Sequence, residues 1–264
     1  MVTLGELKAR DSYAETLARI PLEPVSYRKV PSFSMIVPIY NEAAIVSRSL
    51  DTLGRFLEGK ECQLILYDDS STDGTYVQLT TFAKRFKDPQ TLLMHSSARL
   101  GKGGSIKRAA RKARGQTLII MDADMSADLK CIPEMIKQAS ATGGIVIGQR
   151  STSDRSTHGP LRVVLSLGYN ILARLLFHTG VWDHQCGLKA ISGDVAQKLL
   201  SSVRNDAYVF DTELIVLAKK LNIPVQQVKV RWVDGHERKS NLRWIKTGVT
   251  MMRDLFALKV SEIH

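Results

Sequence analysis

Three apolar runs each empty into polar residues and are then followed by a helical pattern, and this repetition constrains the fold more than any other feature of the chain. Residues 33–39 (FSMIVPI) lead into Tyr40, Asn41 and Glu42, after which Ile45, Val46, Leu50 and Leu53 recur at helical spacing. Residues 63–67 (QLILY) lead into DDSSTDGT, and residues 118–121 (LIIM) lead into Asp122-Ala123-Asp124. Buried strands that alternate with helices predict an α/β chain with an open, mostly parallel sheet, and such sheets bind ligands at the carboxyl ends of their strands. Residues 92–95 read as a further short strand, before a basic, glycine-rich loop, RLGKGG at 99–104, that opens a helix beginning near Ser105. Glycines and a helix N-terminus suit an anion, so the loop points to phosphate. It is not a Walker loop, because Lys102 is followed by Gly103 and not by Ser or Thr.

The acidic pair carries the chemistry. Asp122 and Asp124 are separated by one residue where an apolar strand meets its loop. Two close carboxylates repel each other unless a cation lies between them, and hard oxygen ligands of this kind suit Mg²⁺ or Mn²⁺ bridging to a diphosphate. On spacing alone, the pair reads equally well as two solvated loop acids. What separates the readings is the company of the other segments.

Taken in order, VPIYNE, YDDSSTDGT, RLGKGG, MDAD, GQR, DHQCGLKAIS and YVFDTEL resemble the family 2 glycosyltransferases of the GT-A fold. More narrowly, they resemble the synthases that attach sugars to polyprenyl phosphates, with dolichyl-phosphate glucosyltransferase and dolichyl-phosphate mannose synthase as the two branches. The likeness runs from about residue 33 to about residue 258. RLGKGG and DHQCGLKA lie close to the glucosyl branch, and Ser126 stands where the mannose synthases typically place Gln. The resemblance implies a Rossmann-like GT-A sheet and transfer of a hexose, with inversion, from a nucleotide sugar to dolichyl phosphate. UDP-glucose is favoured as donor and GDP-mannose is the alternative. It places the nucleotide against Pro38, Tyr40, Glu42, Asp69, Lys102, Asp122 and Ala123, and the metal on Asp122 and Asp124. It places the acceptor phosphate against Arg150, Arg238 and Lys239, and the sugar against Asp183, Gln185 and Asp211. Asp122, Asp124, Arg150 and Gln185 are the catalytic candidates. A same-fold transferase with a soluble acceptor stays open, as does a noncatalytic nucleotide-sugar or membrane-binding protein.

At 264 residues and 44% hydrophobic, the chain can bury one sizeable core. The expected division is an N-terminal arm and linker at 1–32, a catalytic domain at 33–240 and a C-terminal amphipathic helix at 241–264. Cys62, Cys131 and Cys186 lack metal-ligand spacing and read as reduced thiols. The net charge of +11 is concentrated in residues 99–114, which hold seven basic side chains and no acid. This block lacks the interleaved aromatics of a nucleic-acid reader, and an anionic membrane is the more economical partner. No run reaches the length needed to cross a bilayer. Residues 161–177 are nevertheless largely apolar, with Arg162 and Arg174 as their only charges, and residues 244–260 are amphipathic. The expected location is therefore cytoplasmic and peripheral, on the cytosolic face of the endoplasmic reticulum or of a prokaryotic plasma membrane.

Overall fold

The computed structural model describes residues 30–86, 90–150, 160–232 and 241–263. Strands β1 (Phe33–Ile39), β2 (Cys62–Asp68), β3 (Gln90–His95), β4 (Thr117–Ile120), β5 (Ile145–Arg150), β6 (Lys189–Ser192) and β7 (Val225–Val230) form one sheet in the order β3-β2-β1-β4-β6-β5-β7. Only β6 runs against its neighbours, β4 and β5; the other pairings are parallel. Flanking it are helices α1 (Val46–Leu57), α2 (Thr75–Arg85), α3 (Lys102–Ala110), α4 (Ile132–Thr142), α5 (Pro160–Phe177), α6 (Gly193–Ser202), α7 (Phe210–Lys220) and α8 (Asn241–Ile263). The expected mostly parallel α/β sheet is the one observed.

Strands β1, β2 and β4 are buried along almost their whole length and largely apolar because helices cover the sheet, which removes the polar alternation of a half-exposed strand. Helix α1 shows the complementary pattern, with Val46, Leu50, Leu53 and Leu57 forming one buried face. From β1 the chain builds β2 and β3 on one side, and β4 lies on the other. This reversal opens a crevice at the carboxyl ends of β1 and β4, where ligands of open α/β sheets bind. Helix α3 starts at Lys102, three residues before the expected start, because Gly101 at φ +86° turns the chain directly into it.

A second, smaller core joins Tyr169, Ala173 and Phe177 of α5 to Val209 beside α7, Val216 of α7 and Leu255 of α8. The Tyr169 hydroxyl lies 2.7 Å from Thr212 Oγ1 and ties α5 to α7. Among the described residues, no helix is long and apolar enough to cross a membrane. The expected N-terminal arm lies outside the described residues up to residue 29, as do Arg238 and Lys239.

Candidate active site

The crevice begins at the ends of β1 and β2, where short polar side chains knit two loops together. Asn41, at φ +52°, accepts a 2.8 Å hydrogen bond from the Thr72 amide, and its own amide donates to Ser71 Oγ at 3.0 Å. Asp73 accepts from the amides of Thr75 (3.0 Å) and Ala43 (3.1 Å) and also from the Thr75 hydroxyl. Desolvation works against the charged form, but these hydrogen bonds outweigh it and hold the Asp73 carboxyl below its ordinary range. Asp68 accepts from the Ser71 amide at 3.2 Å and faces His95 Nδ1 at 2.8 Å. Both acids therefore shape turns. Asp69 receives the amides of Leu100 and Gly101 at 2.7 and 2.8 Å, so it fixes the glycine-rich loop over the ends of β1 and β2. The Arg99 guanidinium stacks on the Tyr40 ring at 3.8 Å, while Pro38 and Glu42 are partly buried beside it in the chain. The amides of Gly103 and Gly104 donate to the Asp206 carbonyl. The loop's amides thus hold protein to protein, and Lys102 is the group it presents to the site.

Lys102 is the centre of a buried charge chain. Its Nζ lies 2.9 Å from Asp122 Oδ1 and 3.0 Å from Asp211 Oδ2. On the far side of Asp211, Lys189 Nζ donates to Oδ1 at 2.7 Å and to the Cys186 carbonyl at 2.5 Å. The positions follow from the fold: β6 pairs with β4 so that Lys189 stands opposite Ile120, just before Asp122. Asp211 occupies the buried first turn of α7, where the helix dipole favours a carboxylate. Desolvation opposes the charge on both Lys102 and Asp211, yet mutual attraction prevails. The Lys102 ammonium is held above the ordinary lysine range, and the Asp211 carboxyl is held below the ordinary aspartate range.

Gly187 makes room for Asp122. A Cβ at position 187 would lie 1.9 Å from Asp122 Oδ2 and 2.2 Å from its Cγ, so any side chain there must push the carboxylate out of place. With Asp122 a catalytic candidate, Gly187→Ala is expected to lower kcat/KM about 10²-fold, the scale of a misplacement of about 1 Å. Thermal unfolding and steady-state rates measured together check this, since a lost fold would lower both.

Arg150, at the end of β5, forms a forked pair with Asp183, Nε to Oδ2 at 2.6 Å and Nη2 to Oδ1 at 2.8 Å. The Asp183 side chain is fully buried and that of Arg150 is 10% exposed. The guanidinium also lies 5.2 Å from the Trp232 ring centroid. Gln185 is partly buried, with Nε2 3.7 Å from Met251 Sδ of α8. His184 is buried; desolvation takes its imidazole down to about 4, so it is neutral at pH 7, with Nε2 2.8 Å from Thr179 Oγ1. Burial pushes the Cys186 thiol up to about 12, which leaves a packing residue and not a nucleophile. Glu213 accepts the amides of Arg204 and Asn205 at 2.9 and 2.7 Å and serves the loop before α7.

Of the residues singled out from sequence, the structure brings Lys102, Asp122 and Asp211 together, with Ala123 buried between the two acids of the motif. Asp183 and Asp211 lie beneath the crevice, each engaged by a cation. Lys189 and Gly187 escaped the sequence reading. Their signal was present: a lone lysine in GLKAIS, entering an apolar strand, announces a buried partner.

The donor set fits a divalent cation shared with a ligand. Among the described residues, no group of three or more His, Cys, Asp or Glu side chains is arranged to hold a metal. Mg²⁺ and Mn²⁺ sites in nucleotide enzymes take one or two carboxylates plus phosphate oxygens. Asp122 and Asp124 are both partly exposed, and Asp122 already faces a positive charge in Lys102. Asp124 Oδ1 also accepts the Ser126 amide at 3.1 Å, which steadies the loop.

The fold matches that of glucosyl-3-phosphoglycerate synthase from Mycobacterium tuberculosis in complex with UDP (TM-score 0.66, 17% identity, 98% of this chain and 85% of that one). It also matches a mannosyltransferase from Pyrobaculum calidifontis in complex with GDP-Man and Mn²⁺ (TM-score 0.63, 20% identity, 97% and 73%). At these identities the likeness carries the fold alone, which is GT-A. In sequence, the chain is 30% identical to the dolichyl-phosphate beta-glucosyltransferase of Dictyostelium discoideum over 243 residues, covering 86% of this chain and 73% of that protein. The enzyme of the same name from Drosophila melanogaster is likewise 30% identical, over 86% of this chain and 74% of its own length. The profile described as "Glycosyl transferase family 2" matches residues 34–200, a span that holds most of β1, the glycine-rich loop, the acidic pair and the Arg150–Asp183 fork, and the chain belongs to that family.

Proposed function

We propose that this protein transfers glucose from UDP-glucose to a polyprenyl phosphate of the dolichyl type, with a divalent cation held by Asp122 and Asp124. The observation that carries the reading is the Lys102–Asp122 pair at the carboxyl end of β4, beside loops fixed by Asp69, in a chain whose relatives are dolichyl-phosphate glucosyltransferases. Tyr40 and Asp69 would bound the nucleotide, and the Lys102 ammonium would face its diphosphate. Mg²⁺ or Mn²⁺ would stabilise the charge that develops on the departing nucleoside diphosphate. A lipid phosphate carries its own nucleophilic oxyanion near neutral pH, so the site needs a cationic cradle more than a general base. Arg150, held rigid by Asp183, is the candidate within the described residues, and Arg238 and Lys239 are the others. Attack from the face opposite the leaving group inverts the anomeric centre and yields a β-linked sugar.

Helix α5 supports contact with the membrane that holds such an acceptor. Val164, Leu167, Ile171 and Leu175 recur at helical spacing and are all exposed. Trp182, exposed beyond the helix, stacks under the Arg174 guanidinium at 3.4 Å, the pairing of an amphipathic ring with a cation that suits a headgroup layer. Full burial of an Ile or Leu side chain contributes about 1.5–3 kcal/mol. The double variant Ile171→Glu, Leu175→Glu is therefore expected to sediment with anionic vesicles about 10²-fold less well, and unchanged sedimentation would remove α5 from the interface.

The reaction itself is tested by offering UDP- and GDP-hexoses in turn with dolichyl phosphate, with Mg²⁺ or Mn²⁺ and with EDTA. The reading expects lipid product from UDP-glucose alone, lost in EDTA. Product from GDP-mannose would reassign the donor.

A further inference from the structure

Lys102 stands where a cation ligand of Asp122 would be expected to interact, yet it is tethered from behind by Asp211. The cluster is balanced: two ammonium groups, Lys102 and Lys189, face two carboxylates, Asp122 and Asp211. The two ends differ in burial. Lys189 is fully buried and the Asp211 side chain is 4% exposed, whereas the Asp122 side chain is 33% exposed and lies toward the crevice. The inner pair is therefore fixed, and the outer contact is the one a ligand can replace.

We infer that Lys102 is a displaceable internal counter-cation of Asp122, which holds that carboxylate in the absence of a divalent metal and yields it when metal and nucleotide bind, while Asp211 and Lys189 keep its ammonium in the site. This rests on the proposed metal-dependent reading and adds a role for three residues of the chain. The tether matters because a free lysine displaced from Asp122 would swing into solvent. Held at 3.0 Å by Asp211 Oδ2, it stays beside the crevice, where a diphosphate can take up its charge. Lys189 matters because it occupies the other oxygen of Asp211. With that oxygen engaged, Asp211 shares its charge between two ammonium groups and does not draw Lys102 away from Asp122. Asp211 and Lys189 are thus positioning residues.

The consequence is competition. A site whose receptive form is a tenth of the population binds its ligand about tenfold more weakly than the open site would. Lys102→Met removes the competitor and leaves Asp211 paired with Lys189, so the buried charges remain matched. Mn²⁺ binding without nucleotide, read from the electron paramagnetic resonance of the free ion, is expected to tighten about tenfold in Lys102→Met. Lys102→Arg, which keeps a cation there, is expected to stay near wild type. Binding of UDP in the presence of saturating Mn²⁺ is expected to weaken about tenfold in Lys102→Met, because the diphosphate loses the ammonium. Mn²⁺ affinity that is unchanged or weaker in Lys102→Met, with wild-type binding intact, would overturn the inference and leave the metal reading standing. A wild-type protein that binds no Mn²⁺, even with UDP present, and so matches Asp122→Asn, would overturn the metal reading and the inference with it.

Discussion

Asp124→Ala is expected to reduce hexose transfer by about 10³-fold or more while the protein unfolds near its wild-type temperature. The two halves of this expectation have separate causes. Asp124 is partly exposed on the loop after β4, and its contribution to structure includes the 3.1 Å bond from the Ser126 amide. Truncation there leaves the strand, the Lys102–Asp211–Lys189 cluster and the apolar core untouched. The chemistry loses more. On the proposed reading, a divalent cation has, among the described residues, the acidic pair and substrate phosphates to hold it, and losing one of two carboxylates would remove much of the charge that fixes the ion against the diphosphate. Full activity in this variant, with radiolabelled donor and saturating Mg²⁺, would remove Asp124 from the metal site.

Asp183→Ala is expected to have the largest effect on stability, a loss of about 3–5 kcal/mol. Its carboxylate is fully buried and receives both Nε and Nη2 of Arg150, so truncation strands a guanidinium that is itself almost wholly enclosed. Desolvation disfavours that charge, and the partner carboxylate more than offsets it, which is why the Arg150 guanidinium is held above its ordinary range. Urea unfolding should show the loss as a lower midpoint with an unchanged slope. Replacing both partners with apolar residues is expected to recover much of the stability while transfer stays impaired, because the unpaired charge is gone and so is the candidate phosphate cradle. A double variant as unstable as Asp183→Ala would mean that packing, and not charge, accounts for the loss.

The sheet was legible because its central strands are covered by helices and so keep largely apolar runs, and each run stops where β1, β2 or β4 leaves the core. The acidic pair was legible for the same reason, as the point where an apolar run turns polar. Pairing across the sheet was not. Nothing local in GLKAIS says that it lies antiparallel to β4, and that register is what places Lys189 near Asp122 and Gly187 against its carboxylate. Asp183 and Asp211 stood out as carboxylates in family-like segments, but their burial depends on packing between β5, β6 and α7. The glycine-rich loop misled in a specific way. Its amides serve Asp69 and Asp206, so the anion-binding inference drawn from glycines shrinks to the side chain of Lys102.

The most direct test of the central claim offers UDP-[¹⁴C]glucose and Mg²⁺ to the wild-type protein with either dolichyl phosphate or dolichol, and counts the label extracted into organic solvent. Label that moves to the organic phase with dolichyl phosphate and not with dolichol, and that EDTA abolishes, is the predicted result, because the proposed nucleophile is the phosphate oxyanion. Label carried equally by dolichol, or remaining in water with both acceptors, would contradict transfer to a lipid phosphate.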